Sequence, residues 1–155
     1  MEIIRALPAD AAPLTRIAHA AKRHWGYPER WITAWSETLT IHDEFITNNI
    51  AYCAVENARP IGFYVLTRES DGLHLDHLWI APDGMGRGIG RALFEHALEQ
   101  SRELGHATLH IESDPHAEGF YTHMGAQRVG ARTTQIDEQS RELPLLRYDL
   151  EHARI

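Results

Sequence analysis

Apolar residues recur along the chain with two spacings, and each spacing predicts one kind of element. Runs rich in β-branched and aromatic residues predict strands at "EIIRAL", "AYCAVEN", "PIGFYVLTRES", "GLHLDHLWIAP", "ATLHIES", "AQRVGARTT" and "LPLLRYDL". Helical spacing predicts helices in "PADAAPLTRIAHAAKRHW", in "GYPERWITAWSETLT", from Gly90 to Leu104, and in a short segment ending before Gly125. The order β-α-α-β-β-β-α-β-α-β-β predicts an α/β arrangement around one mixed sheet.

Length and composition narrow the class of protein. The 155 residues contain no repeat and no linker, so we expect a single domain over residues 1–155. There is no signal-peptide pattern and no apolar run near the roughly 18 residues of a membrane span, so we expect no membrane partner. The lone Cys53 in an apolar run indicates a reducing compartment, and we expect a cytoplasmic location. The net charge of −7 argues against nucleic acid and favours cationic small partners.

The segment "APDGMGRGIGRALFEHALEQ" places four glycines at every second position directly before a predicted helix. Glycine lets a ligand approach the main chain closely, and a helix N-terminus offers unpaired N–H groups to an anion. Arg87 and Arg91 add positive charge to the segment. The alternative is a tight turn that binds no ligand. Such a turn does not need four glycines, and the segment has Gly84, Gly86, Gly88 and Gly90.

The spacing of the glycines in this segment can be compared with the patterns of known phosphate-binding loops. A Walker loop would need Gly-Lys-Ser/Thr, which is absent, and the dinucleotide pattern fails because Arg91 stands at its third glycine. The segment instead resembles the pyrophosphate loop of the GNAT superfamily of N-acetyltransferases, Gln/Arg-x-x-Gly-x-Gly/Ala after a turn of the type Ile-x-Pro. Ile80 and Pro82 supply that turn, and Gly88-Ile89-Gly90 supplies the core. Met85 departs from the Gln/Arg of the pattern, which implies the loss of one polar contact.

A second stretch, "AEGFYTHMGA", strengthens the resemblance. Ala117, Phe120-Tyr121 and Gly125 match the superfamily's Ala-x-x-Phe-Tyr-x-x-x-Gly, and Asp114 stands where an asparagine is common. The resemblance covers most of the chain and implies the GNAT fold, a mixed, mostly antiparallel central sheet of six to seven strands flanked by about four helices. It also implies transfer of an acetyl group from acetyl-CoA to a primary amine of a small molecule or peptide, by direct attack in a ternary complex.

The resemblance implies which residues hold acetyl-CoA. Main-chain N–H groups from Met85 to Gly90 take the pyrophosphate, the preceding strand end pairs with the pantetheine arm, and an N–H near Leu78 stabilises the thioester oxygen. The expected cofactor-binding residues are Leu78, Trp79, Ile80, Met85, Gly86, Arg87, Gly88, Ile89, Gly90, Arg91, Asp114, Ala117 and Phe120.

Two proton transfers remain. The resemblance places Tyr121 as the acid that protonates the leaving thiolate, although Tyr121 could also be a packing aromatic. An amine of pKa near 10 is mostly protonated at pH 7, so a base is useful, directly or through water. The family position for a carboxylate base falls on His74, and Asp76 lies on the same strand face and could pair with it. Glu112 is a third candidate, and the residues do not decide between them.

The amine acceptor should contact the two N-terminal helices and their connection. "KRHWGYPERW" concentrates His24, Trp25, Tyr27 and Trp31 there, and aromatic rings can surround an ammonium group. The same rings could equally join the two helices together.

A metal site is not expected. "HIESDPH" carries His110, Glu112, Asp114 and His116 at alternate positions, but Pro115 interrupts the strand and no matched ligand pair is present. Two alternatives stay open: a non-catalytic acyl-CoA-binding domain of the same fold, and a histidine-based metalloenzyme. A homodimer through the C-terminal strands is compatible with the sequence.

Overall fold

The computed structural model describes residues 1–151. The strands are β1 (Glu2–Arg5), β2 (Ile50–Glu56), β3 (Arg59–Glu69), β4 (Gly72–Ile80), β5 (Thr108–Glu112), β6 (Gln127–Ile136) and β7 (Gln139–Asp149). The α-helices are α1 (Ala11–His24), α2 (Glu29–Ala34), α3 (Asp43–Asn48), α4 (Ile89–Glu103) and α5 (Glu118–His123). Within the described residues, none of these helices has the length and apolar character needed to cross a membrane.

The seven strands form one sheet in the order β1-β2-β3-β4-β5-β7-β6. β4 and β5 pair in parallel, whereas β1–β2, β2–β3, β5–β7 and β6–β7 pair in antiparallel fashion. The predicted α/β fold with a mixed, mostly antiparallel sheet is therefore confirmed. Residues 1–151 contain five α-helices where about four were predicted. The additional helix, α3, has only 6 residues, too few for a helical spacing to be recognised in the sequence.

Two compact units make up the described chain. The first unit is Met1–Leu66 with His77–Glu95, and the second is Thr67–Asp76 with the described chain from His96 onward. The prediction of a single domain stays a prediction.

The core of the first unit lies between α1, α3 and the strands β2 and β3. Leu14 and Ala18 project from α1 at helical spacing and are buried against Cys53, Phe63 and others. The β2–β3 connection is a two-residue hairpin turn at Asn57 and Ala58, whose φ angles of 53° and 61° suit the right-handed twist of the strands. The turn predicted at "NARP" is confirmed.

Helix α2 ends at Ala34, earlier than the predicted helix in this region. Hydroxyl side chains here bind backbone carbonyls: Thr33 Oγ1 donates to Glu29 O at 3.1 Å and Thr40 Oγ1 donates to Ser36 O at 2.8 Å. Threonine and serine side chains that bind backbone carbonyls weaken a helix. The chain accordingly continues in turns from Trp35 to Leu39.

The second unit is built on β5, which has β4 on one side and β7 on the other. Leu73 and Leu75 of β4 pair with Leu109 and Ile111 of β5, and all four side chains are buried. Helix α4 ends just before Gly105, whose φ of 85° matches the predicted stop signal.

Candidate active site

The glycine segment folds as predicted, but its glycines have different roles. Gly84 closes a 3-10 turn (Pro82–Gly84) and is buried. A Cβ on Gly84 would lie 3.2 Å from Ile89 Cδ1 and 3.4 Å from Ile80 Cγ2. Gly84 is therefore a packing residue that allows the end of β4 to approach the start of α4.

Gly86 and Gly88 give the loop its shape. Their φ angles of 77° and 81° lie in the left-handed region that favours glycine. Apart from each glycine and its two chain neighbours, no heavy atom of the described residues lies within 4 Å of the position that a Cβ would take on either residue. Helix α4 begins at Ile89, so the N–H groups of its first turn lie outside the helical hydrogen-bond ladder. This open backbone at a helix N-terminus can receive an anion.

Both arginines of the loop contact carboxylates. Arg87 donates to Glu56 at the end of β2, and Arg91 donates to Glu95 one helical turn later at 3.0 Å. Each arginine side chain is about half exposed or more, so either one can exchange its carboxylate for a phosphate.

The strand before the loop lies close against a residue that the sequence analysis did not select. Gly62 of β3 has no room for a side chain: a Cβ would lie 3.0 Å from both Ile80 Cδ1 and Leu93 Cδ1, and 3.1 Å from Trp79 O. The Ala81 N–H also donates to Ile61 O at 2.8 Å. Gly62 thus allows the main chain near Trp79 and Ile80 to approach β3 closely, and the Ala81–Ile61 hydrogen bond holds it there. A glycine inside an otherwise apolar strand was the signal that could have identified it.

Three of the residues predicted to bind the acceptor, Trp25, Tyr27 and Trp31, form an aromatic cluster with Trp35, which was not among the predicted residues. Tyr27 stacks on Trp31 with ring centroids 5.8 Å apart and meets Trp35 edge-on at 5.0 Å. The ammonium of Lys22 lies 4.1 Å from the Trp35 centroid and 5.1 Å from that of Tyr27. The cluster therefore contains a cation from its own chain, and it joins α1 to α2. His24 is exposed at the end of α1.

Tyr121 lies in the second unit, buried in α5. Its ring meets Phe120 edge-on at a centroid distance of 5.3 Å. Burial raises the pKa of the phenol, and the charge of Asp114 raises this pKa further. The hydroxyl is therefore protonated at neutral pH.

Asp114 is held inside the second unit. Its Oδ1 accepts a hydrogen bond from His116 N at 2.8 Å, which caps the 3-10 turn Pro115–Ala117, and its Oδ2 accepts from Arg141 at 3.5 Å. Its side chain is 6% exposed. Ala117, half-buried, ends this turn. The observed role of Asp114 is to shape the turn that leads into α5.

The predicted pairing of His74 with Asp76 is wrong. His74 Nε2 donates to Asp71 Oδ1 at 2.6 Å, and that bond lowers the pKa of the Asp71 carboxyl. Asp76 is exposed farther along β4. Asp71 precedes β4 and turns back onto the strand, which an ideal-strand argument could not anticipate. Glu112, the third base candidate, forms an ion pair with Arg132 of β6.

Comparisons with known proteins identify the family. The family model described as acetyltransferase (GNAT) domain matches residues 28–138. The chain therefore belongs to the GNAT acetyltransferase family, as its glycine loop and fold predicted.

Two curated relatives carry the name peptidyl-lysine N-acetyltransferase YjaB. The protein from Escherichia coli K12 is 38% identical over a region that covers 59% of this chain and 56% of that protein. The protein from Salmonella typhimurium LT2 is 31% identical, covering 76% of this chain and 88% of that protein. The match thus spans little more than half of the E. coli relative.

Solved structures share the fold. A GCN5-related N-acetyltransferase from Rhodopseudomonas palustris superposes with a TM-score of 0.81 at 20% identity, covering 96% of this chain and 94% of that one. The structure of yncA from Salmonella typhimurium, solved with its cofactor acetyl-CoA, gives a TM-score of 0.71 at 19% identity, covering 97% of this chain and 94% of that one.

Proposed function

We propose that this chain transfers the acetyl group of acetyl-CoA to a primary amine of a small molecule or peptide. The observation that carries the proposal is the loop from Met85 to Gly90. Two left-handed glycines with open space above them lead directly into a helix N-terminus. Family membership and the names of the two YjaB relatives support the same reaction.

Acetyl-CoA is the proposed cosubstrate. Its pyrophosphate is held by main-chain N–H groups from Met85 to Gly90, with Arg87 and Arg91 turning from their carboxylates to the phosphates. The pantetheine arm pairs with the main chain of Leu78–Ile80, a segment that Gly62 allows to approach β3 closely. The acetyl-CoA in the yncA structure supports this choice of cosubstrate.

The proposed reaction is a direct attack. The neutral amine attacks the thioester carbon, the Leu78 N–H stabilises the oxyanion, and the C–S bond breaks as sulfur takes the electron pair. A preorganised N–H of this kind is typically worth about 3 kcal/mol. Cys53, the only cysteine, is buried, and burial together with Asp10 raises the pKa of its thiol to about 11. A thiol in that state is a poor nucleophile, which favours direct transfer over an acyl-enzyme.

Tyr121 is the proposed acid. Its phenol donates a proton to the departing thiolate. Burial raises the pKa of this phenol, which keeps it protonated but also makes it a weaker acid than a phenol in water. The base that accepts the proton of the amine stays open between His74, Asp76, Glu112 and water. Deprotonating an alkyl amine at pH 7 costs about 4 kcal/mol.

The acceptor is proposed to bring its ammonium group to the aromatic cluster. The ammonium of Lys22 already lies on these rings, so an acceptor ammonium has to use ring faces that Lys22 does not cover. A lysine side chain of a peptide, the acceptor in the names of both relatives, fits this description. We propose no nucleic-acid and no membrane partner, a cytoplasmic location, and a homodimer through the C-terminal strands.

The test is a turnover screen. Purified protein is incubated with acetyl-CoA and a panel of amines that includes lysine-containing peptides, N-terminal peptides and small amines, and free thiol is detected. Thiol release that depends on one amine class supports the proposal. Tight acetyl-CoA binding with no release for any amine would favour the non-catalytic acyl-CoA-binding alternative.

A further inference from the structure

Two histidines and one carboxylate meet at the start of β4, within the second unit. His74 and His110 are direct partners in the parallel β4–β5 pair, and their ring centroids lie 4.9 Å apart. Asp71 Oδ1 is 2.6 Å from His74 Nε2. One ligand-type atom from each of the three residues lies within 4.8 Å of the other two. We call this group the Asp71–His74–His110 cluster.

The backbone beneath the cluster is fixed. Leu73, Leu75, Leu109 and Ile111 project from the other face of the same two strands and are at most 4% exposed. The two histidine Cα positions are therefore set by the core, and only side-chain torsions are adjustable. Gly72 adds space, because a Cβ there would lie 3.4 Å from His110 Nε2.

The donor atoms of the cluster are available for a ligand. In the part of the chain from residue 1 to residue 151, neither ring nitrogen of His110 has a hydrogen-bond partner, and His74 uses only Nε2, toward Asp71. Asp71 is exposed, whereas His74 and His110 are half-buried. The site is thus open on the side from which an ion would enter.

The ligand atoms of the Asp71–His74–His110 cluster, two imidazole nitrogens and one carboxylate oxygen, indicate which ion would bind. Two imidazoles and one carboxylate suit Zn²⁺ and neighbouring transition metals better than Mg²⁺ or Ca²⁺, which prefer oxygen ligands. Tetrahedral zinc with ligand bonds near 2.0–2.1 Å places its ligand atoms roughly 3.3 Å apart. The three ligand atoms lie within 4.8 Å of one another, and Asp71 Oδ1 and His74 Nε2 are already 2.6 Å apart, so side-chain rotations are sufficient to bring the set to that spacing.

We propose that Asp71, His74 and His110 bind one divalent transition-metal ion, for which Zn²⁺ is the reference, with water in the fourth position. His74 coordinates through Nε2, and the hydrogen now donated to Asp71 moves to Nδ1 in the other tautomer. The ion joins the β3–β4 turn to β5. It also occupies the Nε2 lone pair, so a zinc-loaded His74 does not act as a base through that atom. No metal was expected from the sequence, because Pro115 interrupts "HIESDPH" and no matched ligand pair is close along the chain; His74 and His110 come together only through the β4–β5 register.

Calorimetric titration of the untagged, metal-free protein with ZnCl₂ tests the site. We expect one equivalent to bind, and His74→Gln, His110→Gln and Asp71→Asn each to weaken binding by about tenfold or more. His42→Gln is the matched control, because His42 also bonds a carboxylate, Glu37 at 2.9 Å, but is not part of the cluster. Its affinity should equal that of the parent.

Spectroscopy and thermal unfolding of the parent protein provide a second test that does not depend on every variant folding. Co²⁺ added to the parent should give visible d–d absorption that one equivalent of Zn²⁺ removes, and zinc should raise the midpoint of thermal unfolding of the parent but not of His110→Gln. No saturable binding by the parent would overturn the proposal. Equal binding by His110→Gln and by the parent would also overturn it, since the zinc would then be on other histidines of the surface.

Discussion

Arg87 of the glycine loop donates a hydrogen bond to Glu56 at the end of β2. The loop's first cation is therefore paired with a carboxylate of the protein itself. A phosphate must compete with Glu56 for the guanidinium, which lowers the net gain from that contact.

Glu56→Gln should therefore strengthen acetyl-CoA binding by a few-fold, because the amide holds Arg87 less tightly than the carboxylate does. Calorimetric titration with acetyl-CoA at two salt concentrations measures the change, which should be larger at low salt. Glu95→Gln provides the comparison, because it releases Arg91 in the same way. Weaker binding by Glu56→Gln would show that Glu56 holds Arg87 in its binding position.

Substitutions of Gly88 test whether the loop binds phosphate, and the same substitution at Gly105 controls for backbone strain. Gly88→Ala leaves the unbound fold free of clashes but places alanine at a φ of 81°, which costs roughly 1–2 kcal/mol. Gly105→Ala meets the same conditions at a φ of 85° at the end of α4. Both variants should lose similar thermal stability.

Acetyl-CoA affinity should separate the two variants. We expect Gly88→Ala to bind more weakly and Gly88→Glu not to bind, because the side chain occupies the space of the pyrophosphate and the carboxylate repels it. Gly105→Ala should bind as the parent does. Unchanged affinity in folded Gly88→Glu would remove the phosphate-binding role of the loop.

The aromatic cluster either recognises the acceptor or joins two helices. If it recognises the acceptor, Tyr27→Ala raises the KM of the amine and leaves the KM of acetyl-CoA nearly unchanged, because ring contact with an ammonium is lost. Steady-state kinetics with each substrate varied in turn makes the distinction. A lower unfolding temperature with unchanged kinetics would assign the cluster to helix packing around Lys22.

Much of this architecture could be predicted from local pattern. The spacing of Gly86 and Gly88 before a helix identified the loop, since positive φ and an open backbone are properties of glycine itself. The roles of Gly62 and Gly84 could not be predicted, because they depend on side chains that come from other elements.

The contacts of polar residues in the second unit could not be predicted from local pattern either. The pair His74–His110 requires the parallel register of β4 and β5, which the sequence does not contain. Asp71 reaches His74 from a turn, and Asp114 binds its own turn together with Arg141. Each of these contacts depends on tertiary geometry rather than on periodicity.

Cys53 should make stability depend on alkaline pH. Its folded-state pKa of about 11 lies above the ordinary value for a thiol, so the stabilisation is complete below the unfolded pKa and is lost as pH rises toward 11. Urea unfolding at about pH 8 and about pH 10, near the ordinary pKa values of thiols and phenols, should show this loss in the parent. Cys53→Ala should lose less over the same interval, and the tyrosines affect both proteins alike. Identical pH dependence would contradict the assignment.

Tyr121→Phe keeps the packing of the buried ring and removes the proposed acid. The rate constant should fall by about 100- to 1,000-fold, with kcat and kcat/KM falling together and acetyl-CoA affinity within a few-fold of the parent. Tyr64→Phe, also a buried tyrosine, is the control and should retain activity. A Tyr121→Phe rate within threefold of the parent, with no burst in either protein, would leave water as the proton donor.

The most direct test of acetyl transfer is a single-turnover experiment with enzyme in excess over acetyl-CoA, using the best acceptor from the amine screen. Free thiol and acetylated amine are followed in the same samples by quenched flow and mass spectrometry. Direct transfer predicts that both products appear with one rate constant and that no acetylated enzyme accumulates. Thiol release ahead of the amide, with an acetyl group on the protein, would contradict direct attack, and absence of any acetylated amine would contradict the proposed function.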